Sequence, residues 1–178
     1  WHNVMELIPS LNTERLLLRK IEVTDAPFFY TLFNSEGWLK YIGDRNIKTV
    51  EDAKNQLAEK YIPSYSDNGY GSYVVVEKKS ENLIGTCGIY KRDNLEHPDI
   101  GFAFLPEFTG KGYAFESAQA ILNYAMEHNG IKKILAITIP ENQPSIRLLK
   151  KLKLQETGNY KDQQTGTSLL LFSRSLLI

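Results

Sequence analysis

Three extended segments in the middle of the chain restrict the fold more than any other feature of the sequence. Residues 72–78 (SYVVVEK) and 83–90 (LIGTCGIY) flank a short polar turn and predict a hairpin. Residues 99–105 (DIGFAFL) predict a third strand, which has large side chains on one face, small ones on the other, and Pro106 at its end. A sheet so rich in hairpins is mostly antiparallel and is not doubly wound.

Helical and extended segments are predicted on both sides of these strands. Residues 24–34 are amphipathic and predict a helix that Thr24-Asp25 caps. Residues 49–61 predict a second helix, which begins with a capping box of Thr49 and Asp52. The other predicted elements are strands at 13–20, 132–139, 156–160 and 168–177, a helix closed by Asn129-Gly130, a helix at 144–152, and a loop at 64–71. This order predicts an α/β (α+β) fold with a mixed, mostly antiparallel central sheet of about seven strands flanked by about four helices.

The length and composition indicate one domain. With 178 residues and 42% hydrophobic side chains, the chain can bury one substantial core. We expect residues 5–178 to form this domain, and we set aside residues 1–4, which precede the first methionine, as a cloning remnant. Lysine plus arginine and aspartate plus glutamate both number 21, so the chain has no net positive charge. We therefore expect no nucleic-acid partner.

Cysteine, histidine and apolar patterns argue against several other classes of protein. Cys87 has no partner for an internal disulfide, and its apolar strand favours a buried, inert thiol. No apolar run approaches the roughly 20 residues that a membrane helix needs, so we expect a cytoplasmic protein without a membrane partner. No histidine has a partner at metal-ligand spacing, so we expect no metal; the three are His2, His97 and His128.

The stretch FTGKGYAFESAQA, residues 108–120, places the turn Gly110-Lys111-Gly112 just before a predicted helix. It is not a Walker loop, because glycine and not Ser or Thr follows the lysine. It is not a dinucleotide fingerprint either, because Phe115 stands at the third glycine position. Unpaired amides at the positive end of the helix could bind a phosphate, but a tight strand–helix connection explains the two glycines equally well.

The wider sequence favours the phosphate-binding interpretation. Residues 99–114, DIGFAFLPEFTGKGYA, closely resemble the acetyl-CoA signature of the GNAT superfamily of N-acetyltransferases. Residues 13–26 (TERLLLRKIEVTDA) and 140–154 (PENQPSIRLLKKLKL) resemble the RimJ/RimL branch, which includes ribosomal-protein N-terminal acetyltransferases. The resemblance covers nearly the whole chain in the expected order, and it implies a GNAT-like fold and an acetyl-CoA-dependent N-acetyltransferase.

The resemblance also implies positions for the cosubstrate acetyl-CoA. The amides of the glycine turn would hold its pyrophosphate, and the main chain of Phe104 and Leu105 would pair with its pantetheine arm. Two residues depart from the family pattern, since Thr109 replaces a Gln or Arg and Lys153 replaces a glycine. We therefore expect weaker cofactor binding and a different ending of the last helix. The residues assigned to the turn are Gly110, Lys111, Gly112, Tyr113 and Ala114.

Asn142 and Ser145 are candidates at the reacting end of the cosubstrate. They resemble family residues that contact the cofactor near its sulfur, where Ser145 would relay a proton to the leaving thiolate. Asn and Ser beside Pro144 are equally well explained as helix-capping residues. The tyrosine acid of many family members would stand at position 149, where this chain has Leu149. A main-chain N–H near Phe104 is the candidate oxyanion donor.

Asp99 is the candidate general base, because it begins the third strand on the same face as Gly101 and Ala103. A solvated carboxylate at a strand end is the more common role of such a residue. Glu116 ranks lower, because the helix dipole alone explains an acid in the first turn. Three strand tyrosines could line an acceptor pocket or serve only in packing; they are Tyr73, Tyr90 and Tyr160.

These assignments predict direct transfer of an acetyl group from acetyl-CoA to a primary amine, without a covalent enzyme intermediate. The acceptor would be a protein N-terminus or a small-molecule amine, and the helices at 24–34 and 49–61 would wall its cleft. The alternative is a non-catalytic module that senses acetyl-CoA, which the missing tyrosine and the unassigned base leave open. The oligomeric state is open as well, with a homodimer as one candidate.

Overall fold

The computed structural model describes residues 8–177, so the expectations about residues 1–4, Met5 and His2 lie outside the described residues. Within this range eight strands form one sheet in the order β1-β2-β3-β4-β5-β6-β8-β7. Neighbouring strands are antiparallel except for the pair β5 and β6. The predicted mixed, mostly antiparallel sheet is confirmed, with one strand more than the seven expected. The strands are β1 (Leu11–Asn12), β2 (Leu16–Lys20), β3 (Ser72–Glu77), β4 (Leu83–Tyr90), β5 (Asp99–Phe104), β6 (Lys133–Thr138), β7 (Gln155–Lys161) and β8 (Ser168–Ser175).

Helices cover both faces of the sheet and outnumber the four that the sequence predicts. They are α1 (Ala26–Phe33), α2 (Glu36–Tyr41), α3 (Val50–Gln56), α4 (Pro63–Asn68), α5 (Tyr113–Tyr124) and α6 (Gln143–Lys151). Helix α3 continues as a π-helical turn at Leu57–Tyr61, and α5 continues in the same way at Ala125–Asn129. The predicted capping box of Thr49 and Asp52 is present at the start of α3.

The prediction of a loop at residues 64–71 was wrong, because α4 occupies most of that stretch. Pro63 stands at the first position of this helix, where its missing N–H costs no hydrogen bond. Gly69 ends the helix in the left-handed conformation, with φ +76°. Between these ends lie polar residues apart from Tyr65, so the segment has no apolar period that sequence reasoning could detect.

The sheet separates two hydrophobic cores. One core lies under α5 and α6 and includes Ile121, Leu149 and Phe172. The other lies under α1, α2 and α3 and includes Phe29 and Trp38. A ligand that enters the sheet between two strands therefore has α5 and α6 on one side and the early helices on the other.

Strands β5 and β6 are neighbours for only one pair of residues, Asp99 and Leu135. Both strands have six residues, so most of their length could pair but does not. Beyond this pair the two parallel strands separate toward their C-terminal ends, which opens a wedge in the middle of the sheet. Helix α5 crosses from β5 to β6, and its N-terminus lies near the wide end of the wedge.

The C-terminus of α6 differs from the prediction, because Lys153 adopts the left-handed conformation that is usual for glycine, with φ +72°. Its N–H donates to the Lys150 carbonyl, and the Leu154 N–H donates to the Leu149 carbonyl, both at 3.0 Å. These two bonds define a Schellman ending. Leu149 and Leu154 are both buried in the same core, and this contact outweighs the strain at Lys153.

We expect Lys153→Gly to raise the free energy of unfolding by about 1 kcal/mol, because glycine adopts this conformation without strain. The matched control is Lys151→Gly, which lies two residues earlier at the last helical position of α6 and should lower that free energy by up to about 1 kcal/mol. Urea unfolding of the three proteins measures both effects. A destabilised Lys153→Gly variant would contradict the assignment of backbone strain.

Candidate active site

The turn between β5 and α5 leaves a row of main-chain N–H groups without protein acceptors. The first hydrogen bond of α5 runs from the Glu116 N–H to the Gly112 carbonyl at 3.0 Å. Within residues 8–177, the N–H groups of residues 110–115 have no hydrogen-bond acceptor, and no side chain caps the helix. Because these groups lie at the positive end of the α5 dipole, the turn is suited to bind an anion.

Gly110 and Gly112 give the turn its shape. Both have left-handed backbone conformations, with φ +74° and +81°. A Cβ placed on Gly110 would meet no atom within 4 Å, so this side of the turn is open. A Cβ on Gly112 would lie 3.3 Å from Nη2 of Arg15. Glycine is therefore favoured at both positions by the backbone conformation, and the space in front of Gly110 remains free for a ligand.

The N-terminal segment of the chain is tied to the glycine turn through Glu116. One oxygen of this carboxylate accepts from the Thr13 hydroxyl at 2.5 Å and from the Arg15 N–H at 3.0 Å. The other oxygen accepts from Nε of Arg15 at 2.7 Å, and Nη1 of Arg15 donates to the Lys111 carbonyl at 3.0 Å. The guanidinium also lies over the ring of Tyr113, 4.3 Å from its centroid. We call Thr13, Arg15 and Glu116 the loop clamp.

The hydrogen bonds of the loop clamp lower the pKa of Glu116 and favour its charged form. Burial alone would raise the pKa of this carboxyl, but the hydrogen bonds from Thr13 and Arg15 outweigh burial and lower the pKa. A carboxylate so fully hydrogen-bonded is a poor proton acceptor, so the geometry argues against Glu116 as a base.

The Tyr113 side chain anchors α5 to the sheet and is turned away from the open side of the turn. Its hydroxyl donates to Glu77 at 2.6 Å, and Ser80 donates to the other oxygen of Glu77 at 2.7 Å. These hydrogen bonds lower the pKa of Glu77, and the bond to Glu77 raises the pKa of Tyr113. Only the main chain of Tyr113 can therefore contact a ligand at the turn.

The β5 edge that faces the wedge carries main-chain groups without strand partners. The Leu105 N–H donates to the Ile84 carbonyl of β4 at 3.0 Å, and the Leu105 carbonyl accepts from Phe108 at 2.9 Å. Because successive N–H groups along a strand point to opposite sides, the main chains of Phe104 and Phe102 face the wedge. The geometry therefore favours Phe104 and Phe102 as partners for an extended ligand, and it argues against Leu105, whose main chain is already engaged.

The exposure of β5 supports this interpretation. It is the fifth of eight strands, and residues 84–89 of its neighbour β4 are all buried. Residues 101–105 are nevertheless only half-buried, on both faces of the strand. A central strand is exposed in this way only where the sheet is open, so the wedge is a groove that a ligand can enter.

Asp99 lies at the closed end of the wedge and is buried, with 1% of its surface exposed. Its Oδ1 accepts from Nε of Arg92 at 3.0 Å. Burial raises the pKa of Asp99, although the Arg92 charge and hydrogen bond oppose this effect. Asp99 is thus not the solvated strand-end carboxylate that the sequence allowed, and a raised pKa suits a proton acceptor at neutral pH.

The tyrosine candidates lie in different places. Tyr73 is buried in the core under α5, and its hydroxyl donates to the Pro9 carbonyl, so it does not line the face beneath the early helices. The ring of Tyr90 packs over Gly101, where an added Cβ would lie 3.0 Å from it. Tyr90 therefore fills the space beside the small face of β5. The Tyr160 hydroxyl donates to Asn94 at 2.7 Å.

The hydroxyl of Tyr90 begins a chain of buried hydrogen bonds. It lies 2.8 Å from the Ser72 hydroxyl, which lies 2.7 Å from that of Thr86. Thr86 donates its proton to the Tyr73 carbonyl at 2.8 Å. Since a hydroxyl has one proton, Ser72 must donate to Thr86, and Tyr90 must donate to Ser72.

Asn142 and Ser145 lie at the N-terminus of α6, as the sequence predicts. The Asn142 side chain accepts from the Ser145 N–H at 3.2 Å, which makes Asn142 the N-cap of this helix. The Ser145 hydroxyl forms no hydrogen bond within the described part of the chain and is half-buried. Leu149 is 1% exposed and packs in the core, so α6 presents no tyrosine at that position.

Two further side chains at the glycine turn, those of Lys111 and Thr109, contact residues nearby in sequence. Lys111 is exposed, with Nζ 5.5 Å from the centroid of the Phe108 ring, and the Thr109 hydroxyl donates to the Pro106 carbonyl.

Burial raises the pKa of the Cys87 thiol, as expected for an inert cysteine. Among residues 8–177, no three His, Cys, Asp or Glu side chains form a group that could hold a metal ion. No helix in that range is long and apolar enough to span a bilayer.

Sequence reasoning missed three contributors to this site: Arg15, Glu77 and Phe102. Arg15 looked like a flanking charge of the first strand, and nothing local links it to a helix about 100 residues later. Glu77 likewise pairs with a distant tyrosine. Phe102 could have been found, because strand alternation gives it the same orientation as Phe104.

We expect Glu116→Gln to lower the free energy of unfolding by about 1–2 kcal/mol at neutral pH, because the charged hydrogen bonds of the loop clamp are lost. The folded-state pKa of Glu116 is lowered, so this stabilisation is complete above the unfolded pKa of about 4.3 and is lost as the pH falls through the folded-state pKa. Urea unfolding at neutral pH and at several lower pH values tests this. The exposed Glu107→Gln variant is the control, and a difference that stays constant at every pH would contradict the assignment.

Comparison with known proteins gives a consistent result. The family described as "Acetyltransferase (GNAT) domain" matches residues 15–155. YnaD, an uncharacterized N-acetyltransferase of Bacillus subtilis, is 32% identical over 151 residues, which is 85% of each chain. The chain also shares its fold with two solved enzymes of lower identity.

The first is the ribosomal-protein-S5-alanine acetyltransferase of Vibrio fischeri, with a TM-score of 0.77, 21% identity and coverage of 94% of this chain and 96% of that one. The second is the spermidine N-acetyltransferase of Vibrio cholerae in complex with CoA and spermine, with a TM-score of 0.75, 19% identity and coverage of 92% and 97%. Because the family match spans residues 15–155, which include the glycine turn, the chain belongs to the GNAT acetyltransferases, enzymes that take their acetyl group from acetyl-CoA.

Proposed function

We propose that this protein transfers an acetyl group from acetyl-CoA directly to a primary amine, on a protein N-terminus or on a small molecule, as a member of the RimJ/RimL-like branch. The observation that carries the proposal is the row of free amides at residues 110–115, placed at the open end of the wedge between β5 and β6. An anion-binding turn beside an unpaired strand edge suits a ligand with a diphosphate and an extended, amide-containing arm.

The residues present fit acetyl-CoA on this chain. The amides of Gly110, Lys111, Gly112, Tyr113 and Ala114 would hold the diphosphate, and Lys111 adds a positive charge at the exposed rim. The main chains of Phe104 and Phe102 would pair with the pantetheine arm. Acetyl-CoA supplies a thioester, whose C–S bond is exchanged for a C–N bond to the amine.

Asp99 is the base that the geometry favours. Phe104 follows Asp99 by five positions along β5, which corresponds to about 17 Å of extended strand. An arm fixed at the glycine turn and laid along this strand points its reactive end toward the buried carboxylate. Asp99 would accept the proton that the attacking amine loses, and the Ser145 hydroxyl would relay a proton from solvent to the thiolate, taking up one proton as it gives up another. Asn142 would position Ser145 as its helix cap.

The acceptor would enter from the face covered by α1 to α4. Tyr61 and Tyr90 pack edge to face there, with ring centroids 6.4 Å apart. Solved structures of the same fold are named as acting on a ribosomal protein or on spermidine, so both acceptor classes need testing.

The test is release of the CoA thiol, measured with acetyl-CoA and a panel of peptides with free N-termini, polyamines and small primary amines. We expect thiol release with at least one class, together with thermal stabilisation by acetyl-CoA alone. Stabilisation without thiol release from any amine would favour the alternative, a non-catalytic acetyl-CoA sensor. Absence of stabilisation would overturn both.

We expect Gly110→Ala to weaken CoA binding by at least about tenfold, because a Cβ and a strained backbone disturb the amides that hold the diphosphate. Gly130→Ala is a matched control, since Gly130 also has positive φ and open space but ends α5 at its other terminus. Calorimetric titration with CoA measures both. Equal affinity of the two variants would contradict the turn as the diphosphate site.

We expect Asp99→Asn to lower kcat by about a hundredfold or more and to leave the KM for acetyl-CoA nearly unchanged, because the variant retains the cofactor turn but loses the base. The matched control is Asp25→Asn, because Asp25 is also buried and paired with an arginine, Arg19, at 2.8 Å. Both variants should lose stability, but only Asp99→Asn should lose its chemical step. A similar kcat for the two would exclude Asp99 as the base.

A further inference from the structure

We propose that Arg15 is a positioning residue that aims the amide of Gly112 at the diphosphate of the cofactor. The inference rests on the proposed function, because it assigns a role within the acetyl-CoA site. Arg15 lies in the segment before β2, about 100 residues from the turn in sequence, and its side chain is 42% exposed.

The first argument is the geometry of the peptide that joins Lys111 and Gly112. Nη1 of Arg15 donates to the Lys111 carbonyl at 3.0 Å, so this carbonyl points toward the guanidinium. In a planar trans peptide the C=O and the following N–H point in opposite directions. The N–H of Gly112 is therefore directed away from Arg15 and joins the other free amides of the turn.

The second argument is that Arg15 is itself fixed. Nε donates to Glu116 at 2.7 Å, its main-chain N–H donates to the same carboxylate, and Thr13 holds the second oxygen. The guanidinium carbon also lies over the ring of Tyr113. An arginine with only one contact could not orient a peptide, whereas this one is held from three directions.

The third argument concerns charge. Glu116 lies in the first turn of α5, close to where a diphosphate would bind, and an unpaired carboxylate there would repel the ligand. The ion pair with Arg15 offsets that repulsion. Lysine at position 15 would keep the positive charge, but it could not bond to the carboxylate and to the Lys111 carbonyl in the same fork geometry.

The test compares the wild-type chain with Arg15→Lys and Arg15→Gln. We expect both variants to bind CoA about tenfold more weakly in calorimetric titration and to show a similar rise in the KM for acetyl-CoA. The KM for the amine should not change. With S-acetyl-pantetheine, which lacks the diphosphate, the variants and the wild type should transfer acetyl groups at equal rates, whereas general damage to the fold would slow both donors.

The matched control is Arg19→Lys, which disrupts a second arginine–carboxylate pair nearby in sequence, between Arg19 of β2 and Asp25. Unchanged CoA affinity of Arg15→Lys would overturn the inference, since charge alone would then suffice. Equal loss of affinity in Arg19→Lys would overturn it as well. If the wild type does not bind CoA, the proposed function fails and the inference with it. If Arg15→Gln does not fold, Arg15→Lys decides the question alone.

Discussion

The separation of β5 from β6 is the constraint on which the rest of the site depends. A parallel pair in the middle of a sheet would normally bond along its whole length, and its side chains would be buried on both faces. Here one pair, Asp99 and Leu135, closes the ladder, and the strands then part. Unpaired main-chain groups are costly to bury, so they remain in a groove where a ligand can satisfy them. The packed cores on both faces hold this groove open.

The glycine turn and the wedge form one continuous surface, because β5 leads directly into the turn and α5 follows it. The strand edge offers donors and acceptors in the spacing of an extended chain, and the turn offers donors that point in one direction. The loop clamp and the bond from Tyr113 to Glu77 fix the helix start to β2 and β3 on either side. Binding can therefore use main-chain groups that are already oriented, and this lowers the entropy that ordering would otherwise cost.

Much of the fold could be predicted from the sequence, because the apolar hairpin segments at 72–78 and 83–90, the two faces of 99–105 and the capping box at Thr49 are local signals. The glycine turn was equally local. What the sequence could not show is pairing between distant residues. Asp99 was the candidate base, with a solvated strand-end carboxylate as the alternative, and only the structure shows that it is buried and paired with Arg92. Lys153 was expected to avoid a left-handed conformation, but the contact between Leu149 and Leu154 decides the helix ending.

The direction of the buried hydroxyl chain limits what Tyr90 can do. Thr86 donates its proton to the Tyr73 carbonyl, so Ser72 must donate to Thr86. The single proton of Tyr90 is therefore donated to Ser72. Any further partner of the phenol oxygen must therefore be a hydrogen-bond donor, so Tyr90 can accept a hydrogen bond but has no proton to give. Position 149 holds a leucine, so neither that position nor Tyr90 provides an acid for the transfer that we propose.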